Sequence, residues 1–338
     1  MKGKIALEEH FLLKGFQQYS FDFLDTAVFD EIKRRLLDTD RTRIEEMDRA
    51  GIETAILSFT APGIQAEPDA LRAVDAAQRA NDLLAEQIIA RSPDRFRGFA
   101  ALPLQDAEAA ADELTRAVRR LGFVGAMVNG YSNLGDARTG VYLDEARYEP
   151  FWDRVEELDV PIYLHPRDPL PDQQRIYEGH PELLGAAWAF GVETATHALR
   201  LIMSGLFDRH PGLTLVLGHL GEMLPFMIWR VEHRFAFHGG GKKLLRPVSA
   251  YLRDNVYITT SGNFRTQSLI DCMLELSADR LLFSTDYPYE SMQEAADWFD
   301  ACSISEIDRV KIGRTNAARL FHLDASARAA DVASARAA

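Results

Sequence analysis

Short apolar runs recur along the chain at intervals that leave room for a helix between successive runs. They predict strands near Lys4–His10, Glu53–Phe59, Phe96–Leu102, Phe123–Asn129, Val160–Pro166, Leu213–His219, Val256–Gly262 and Leu281–Asp286. Most are apolar almost throughout, as expected of parallel strands covered on both faces. Between them, the stretches Arg41–Ala50, Asp69–Arg91, Ala107–Leu121, Tyr148–Glu157 and Ser268–Leu276 read as amphipathic helices. Alternation of this kind predicts a single α/β domain, a (β/α)8 TIM barrel, over residues 1–324. Three connections are long for such a barrel: Phe11–Asp30, Arg167–Gly191 and Glu232–Tyr251. The first two follow strands, which puts long βα loops on the catalytic face. The Ala-rich segment 325–338 is expected to be a frayed or disordered tail outside that domain.

Where the runs end turns a fold into a candidate site. Ile5-Ala6-Leu7 leads into Glu8-Glu9-His10, Ile162-Tyr163-Leu164 ends on His165, Leu215-Val216-Leu217-Gly218 on His219, and Phe283-Ser284-Thr285 on Asp286. A strand has a side-chain period of two, so Glu8 and His10 face one side and Glu9 the other. Carboxylate oxygen and imidazole nitrogen suit one mononuclear divalent ion, with Zn2+, Mn2+ and Mg2+ all compatible with the donor set. Asp286 reads either as a ligand or as a cap on the segment after it. In Gly218-His219-Leu220-Gly221-Glu222, Glu222 either orients the imidazole of His219 or answers a helix N-terminus. Arg230 reads equally as a solvated helix arginine and as a carboxylate clamp. Gly239-Gly240-Gly241-Lys242-Lys243 lacks the spacing and the preceding strand of a phosphate loop, and no Gly-x-Ser-x-Gly elbow offers a serine nucleophile.

Composition narrows the partners. A net charge of −13 with no basic run argues against nucleic acid. No stretch approaches the roughly 18 consecutive apolar residues of a membrane span. Two cysteines, Cys272 and Cys302, make neither a disulfide framework nor a thiolate zinc site. With no secretory pattern at Met1-Lys2-Gly3-Lys4, the cytoplasm is the expected location.

Several of these segments resemble the amidohydrolase superfamily, and within it the non-oxidative benzoate decarboxylases that act on γ-resorcylate and other dihydroxybenzoates. They are Lys2-Gly3-Lys4-Ile5-Ala6-Leu7-Glu8-Glu9-His10-Phe11, Leu164-His165-Pro166-Arg167, Gly218-His219-Leu220-Gly221-Glu222, Thr260-Ser261-Gly262-Asn263-Phe264 and Phe283-Ser284-Thr285-Asp286. The resemblance implies that Glu8, His10, His165 and Asp286 bind one divalent metal, with no organic cofactor, and that His219 and Glu222 assist proton transfer. It further implies that Phe23, Asn129 and Arg230 line the substrate site, Arg230 being supplied by a neighbouring subunit of a homotetramer; Tyr289 is expected with Phe23 in the same substrate pocket. Phe235 departs from the pattern, in which an Asn is common. The implied reaction is reversible decarboxylation of a small aromatic acid, 2,6-dihydroxybenzoate to resorcinol or 2,3-dihydroxybenzoate to catechol, with Asp286 as donor of the ring proton. A metal-dependent amide or lactone hydrolase uses the same constellation, with Asp286 as general base to a metal-bound water. A non-catalytic metal-binding barrel is a third reading, and the intact ligand set argues against it.

Overall fold

The computed structural model describes residues 1–20 and 26–323; Phe23 and the segment 325–338 lie outside them. Eight parallel strands form the barrel: β1 (Lys4–Phe11), β2 (Ile52–Phe59), β3 (Phe96–Gly98), β4 (Ala126–Asn129), β5 (Ile162–His165), β6 (Leu215–Leu217), β7 (Val256–Thr259) and β8 (Leu281–Leu282). Hydrogen bonding groups them as a three-stranded sheet, β1-β2-β3, and a five-stranded sheet, β8-β7-β6-β5-β4. Single parallel bridges, Ala100 with Ala126 and Glu9 with Tyr287, span the two seams.

Ile5, Leu7, Ile56, Phe99, Met127, Tyr163, Val216 and Leu282 fill the lumen, with Ala317, Ala318 and Phe321 packed against them. A larger apolar layer lies between the strands and the outer helices. Those helices start where the sequence supplies a cap: Asp69 accepts from the Arg72 N–H (3.0 Å), Asp106 from Ala109 (3.1 Å) and Ser291 from Glu294 (3.3 Å).

The helices Arg41–Ala50 and Ala107–Leu121 have the predicted limits. Several strands are shorter than expected, among them β3, ending at Gly98, β6 at Leu217 and β8 at Leu282, so that His219 and Asp286 lie beyond their strands. Two further features differ from expectation. The connection expected over Glu232–Tyr251 is partly helical, since one helix spans Leu224–His238 and the next Val248–Asn255. Pro225 in its first turn is tolerated because no intrahelical acceptor awaits its missing N–H, and the apolar positions beyond it sustain the helix to His238. After β4, an antiparallel hairpin pairs Ser132–Leu134 with Asp136–Val141. Its second strand is exposed over most of its length, so no alternation in the sequence marks it.

Candidate metal centre

β1 carries a register shift between Ala6 and Glu9 against β2. A bulge of this kind adds a residue to one strand, so Glu8 can face the lumen as well as Leu7. The two N–H groups at the irregularity, on Leu7 and Glu8, both point to Ser284 Oγ (3.3 and 2.6 Å). Glu8 and His10 then share a side with His165, from the end of β5, and Asp286, which follows β8. One ligand atom from each of these four residues lies within 4.8 Å of all the others.

The donors fit a cation. His165 Nε2 lies 3.1 Å from Glu8 Oε1, and His10 Nε2 lies 4.0 Å from the same oxygen and 3.2 Å from Asp286 Oδ1. Glu8 Oε1 is buried and takes no well-aligned hydrogen bond among the described residues, an arrangement that costs free energy unless a cation satisfies it. The other ring nitrogen of His10 meets the Ser58 hydroxyl at 3.1 Å, which turns Nε2 toward the cluster. Burial, reinforced by the neighbouring His165, holds the His10 pKa below its ordinary value and favours the neutral ring that ligates metal. For Glu8, burial works to raise the pKa, but His219, His165 and His10 outweigh it and hold the carboxyl well below the usual range.

His219 stands beside the four. Its Nε2 lies 3.5 Å from Asp286 Oδ2 and 3.6 Å from Glu8 Oε1, and its Nδ1 lies 2.6 Å from Glu222 Oε1. Burial opposes charge on this ring, yet Glu222 and Glu8, with Asp286, raise its pKa well above the ordinary value. Gly262, at φ 58°, makes room for it, since a Cβ there would come within 2.8 Å of His219 Cδ2 and 3.2 Å of Asp286 Oδ2.

A cleft of about 750 Å3 opens over His219, Glu222 and Gly262, walled by Trp188, Phe190 and Met223. Asn129, at the end of β4 and in register with His165, is buried, and its Oδ1 has no partner among the described residues. Tyr289 is half-buried with its ring 5.5 Å from that of His10, and its hydroxyl lies 2.5 Å from Thr60 Oγ1. Arg230 is not brought to the site of its own chain: it is exposed on the helix Leu224–His238, and its side chain makes no hydrogen bond or ion pair among the described residues. Phe235 packs against the apolar layer rather than the cleft.

The residues behind the ligands are less visible in sequence. Glu9 faces away from the cluster but is fully buried, accepting from the Thr285 N–H (3.0 Å), the Thr285 hydroxyl (2.7 Å) and the Ser284 hydroxyl (3.3 Å). Burial pushes its pKa up to about 8 against those donors. Arg43, also fully buried, donates to the His10 carbonyl, with its guanidinium 4.7 Å from the centre of the Tyr287 ring. Arg43 thus anchors the backbone at His10, and Glu9 the residue next to Asp286. Neither stands out in the sequence: Arg43 lies in the charged run Asp40-Arg41-Thr42-Arg43-Ile44-Glu45-Glu46, and Glu9 between Glu8 and His10.

A profile of the amidohydrolase family matches residues 10–323. The chain is 57% identical over 326 residues to the γ-resorcylate decarboxylase of Rhizobium sp. (strain MTP-10005), covering 96% of this chain and 99% of that one. It superposes with a TM-score of 0.92 on a crystal structure of 2,6-dihydroxybenzoate decarboxylase complexed with 2,6-dihydroxybenzoate, at 57% identity, over 95% of this chain and 100% of that one. A dihydroxybenzoic acid decarboxylase from Polaromonas sp. JS666, with bound manganese and the inhibitor 2-nitroresorcinol, gives 0.93 at 54% identity, over 97% and 99% of the two chains.

Proposed function

The chain belongs to the amidohydrolase family, and on that premise we propose that it is a metal-dependent carboxy-lyase that converts 2,6-dihydroxybenzoate to resorcinol and CO2. The observation that carries this reading is the cluster of Glu8, His10, His165 and Asp286 in a chain 57% identical to γ-resorcylate decarboxylases. The same relatives favour 2,6-dihydroxybenzoate over the 2,3-isomer and a carboxy-lyase over a hydrolase.

Direct loss of CO2 from the ring would leave an aryl carbanion. Protonating the ring carbon first avoids it, and ortho hydroxyls make that carbon electron-rich. Glu8, His10, His165 and Asp286 would hold one divalent ion (Mn2+, with Zn2+ and Mg2+ the alternatives), which would supply positive charge for the carboxylate and ortho-hydroxyl edge of the substrate. Asp286 gives its carboxyl proton to the ring carbon; the carbon–carbon bond then breaks, its electrons restore the aromatic ring, and CO2 leaves. His219, steered by Glu222, manages the proton of the phenolic oxygen, consistent with the 2.6 Å contact between them. Asn129 and Tyr289 line the ring; Phe23, also expected there, lies outside the described residues. The assembly is a homotetramer in which Arg230 reaches a neighbour's site; the exposed Phe226, Trp229 and Phe237 around it support that reading. The cytoplasm is the proposed location, in keeping with the lack, among the described residues, of any helix long and apolar enough to cross a membrane.

The test is to follow CO2 release from the Mn2+-loaded protein with 2,6- and 2,3-dihydroxybenzoate, benzoate and 4-hydroxybenzoate. Turnover of 2,6-dihydroxybenzoate, with benzoate and 4-hydroxybenzoate inert, is expected, together with slow carboxylation of resorcinol at high bicarbonate. Rapid turnover of 4-hydroxybenzoate, and none of the ortho-hydroxy acids, would sink both the substrate and the mechanism.

A further inference from the structure

The two oxygens of Glu8 have opposite surroundings. Oε2 accepts the hydroxyl protons of Tyr163 and Ser261. Oε1 takes no well-aligned hydrogen bond among the described residues and faces the other ligands. Both hydroxyls are themselves fixed. Thr259 Oγ1 lies 2.8 Å from each of them, and the His219 N–H donates to Ser261 Oγ (3.1 Å). With the Tyr163 and Ser261 protons committed to Glu8, the Thr259 hydroxyl is left to donate to one of the two oxygens. All of these side chains are buried, and the space around them is full: a Cβ at Gly218 would come within 2.8 Å of Glu8 Oε2, 3.1 Å of Ser261 Oγ and 3.2 Å of the Tyr163 hydroxyl.

A carboxylate oxygen has about two lone-pair directions, so two O–H donors leave Oε2 nothing to offer a cation. A free carboxylate, by contrast, binds cations through one oxygen or both. We infer that the Tyr163 and Ser261 hydroxyls are positioning residues that restrict Glu8 to a single metal-binding oxygen, and so leave the cation able to take two oxygens from one substrate molecule. The inference rests on the reading of Glu8 as a metal ligand. Substrate specificity follows from it: a ligand offering a carboxylate and an ortho oxygen as a pair needs the position that a two-oxygen Glu8 would take.

The experiment compares Mn2+-loaded wild type, Tyr163→Phe and Ser261→Ala by crystallography and by binding of 2,6-dihydroxybenzoate and resorcinol. Ser261→Ala, the smaller change, covers the case in which Tyr163→Phe does not fold. In the wild type one Glu8 oxygen should contact Mn2+, and in the variants both. Affinity for 2,6-dihydroxybenzoate should fall about 10–100-fold, the usual cost of removing a partner of a metal ligand. Resorcinol, which brings no carboxylate, should be affected little. A one-oxygen Glu8 in both variants, a two-oxygen Glu8 in the wild type, or a parallel loss of both ligands would overturn the inference while leaving the proposed function standing. Failure of the wild type to take up Mn2+ would overturn the metal reading, and the inference with it.

Discussion

His219, Leu220, Glu222 and Met223 have φ of 50°, 55°, 51° and 67°, and Asp286 has φ of 71°. Each such non-glycine residue in the left-handed region costs on the order of 1–3 kcal/mol and persists only where its surroundings enforce it. Here the enforcement is local: the Leu220 N–H donates to the Thr259 carbonyl (2.8 Å), Gly221 to Gly218 (2.7 Å) and Tyr289 to Asp286 (2.9 Å). The strained positions include the proposed proton donor and both members of the proposed relay, so the strain orients the groups that move protons. Asp286→Asn is nearly isosteric and should abolish turnover while one equivalent of metal remains, because an amide has no proton to give the ring carbon. His219→Asn should lower kcat by about 10²–10⁴-fold, the range for a positioned acid–base group. Metal analysis beside steady-state kinetics checks both, and near-wild-type turnover by metal-loaded Asp286→Asn would remove the proposed donor.

The helix Ala189–Met203 is latched to the segment that follows the hairpin through His197, which is fully buried. The Leu143 N–H donates to its Nε2 (3.1 Å), so that nitrogen carries no proton, and burial pushes the pKa down to about 3. The folded pKa lies below the unfolded value of 6.5, so the contribution to stability is complete above pH 6.5 and is lost as pH falls toward 3. At pH 5 the loss from this one group is about 2 kcal/mol. Urea unfolding at pH 7 and pH 5 should therefore show a larger acid loss in the wild type than in His197→Gln, and equal losses would dismiss the latch. At this scale the sequence is a good guide to the eight strands and to the helices between them, because both periodicities are set by which faces are buried. It is a poor guide to the polar hairpin after Asn129, whose exposed strand has no apolar face to betray it. The candidate metal ligands stand out because ligand-type side chains at the ends of apolar runs are unusual. Tyr163, Ser261 and Ser58 do not, since hydroxyl residues are common and only the fold shows which of them point at Glu8 or His10.

The helix Leu224–His238 leaves Phe226, Trp229 and Phe237 at 80%, 68% and 68% exposure, with Arg230 between them. If this face seats a second subunit and Arg230 serves the neighbour's site, Arg230→Ala and Asp286→Asn proteins should each be inactive alone. Hybrids of the two should recover part of the wild-type rate, because some sites then combine an intact Asp286 with an intact Arg230. Sedimentation with activity assays tests this, and a fully active monomer would contradict it. The barrel's two hydrogen-bonded sheets meet at seams spanned by single bridges, and the ligand set straddles them. Glu8 and His10 belong to the three-stranded sheet, and His165 and the segment leading to Asp286 to the five-stranded one. A bound ion would therefore be a further cross-brace between the two sheets, added to the contacts of Ser284 with Leu7 and Glu8 and of Thr285 with Glu9. Free metal at 100 times its dissociation constant adds about 2.7 kcal/mol to the folded state. The midpoint of thermal unfolding should climb with the logarithm of free Mn2+ and drop on chelation, and indifference to EDTA would refute the brace. Metal supply would then set how many molecules stay folded as well as how many can turn over.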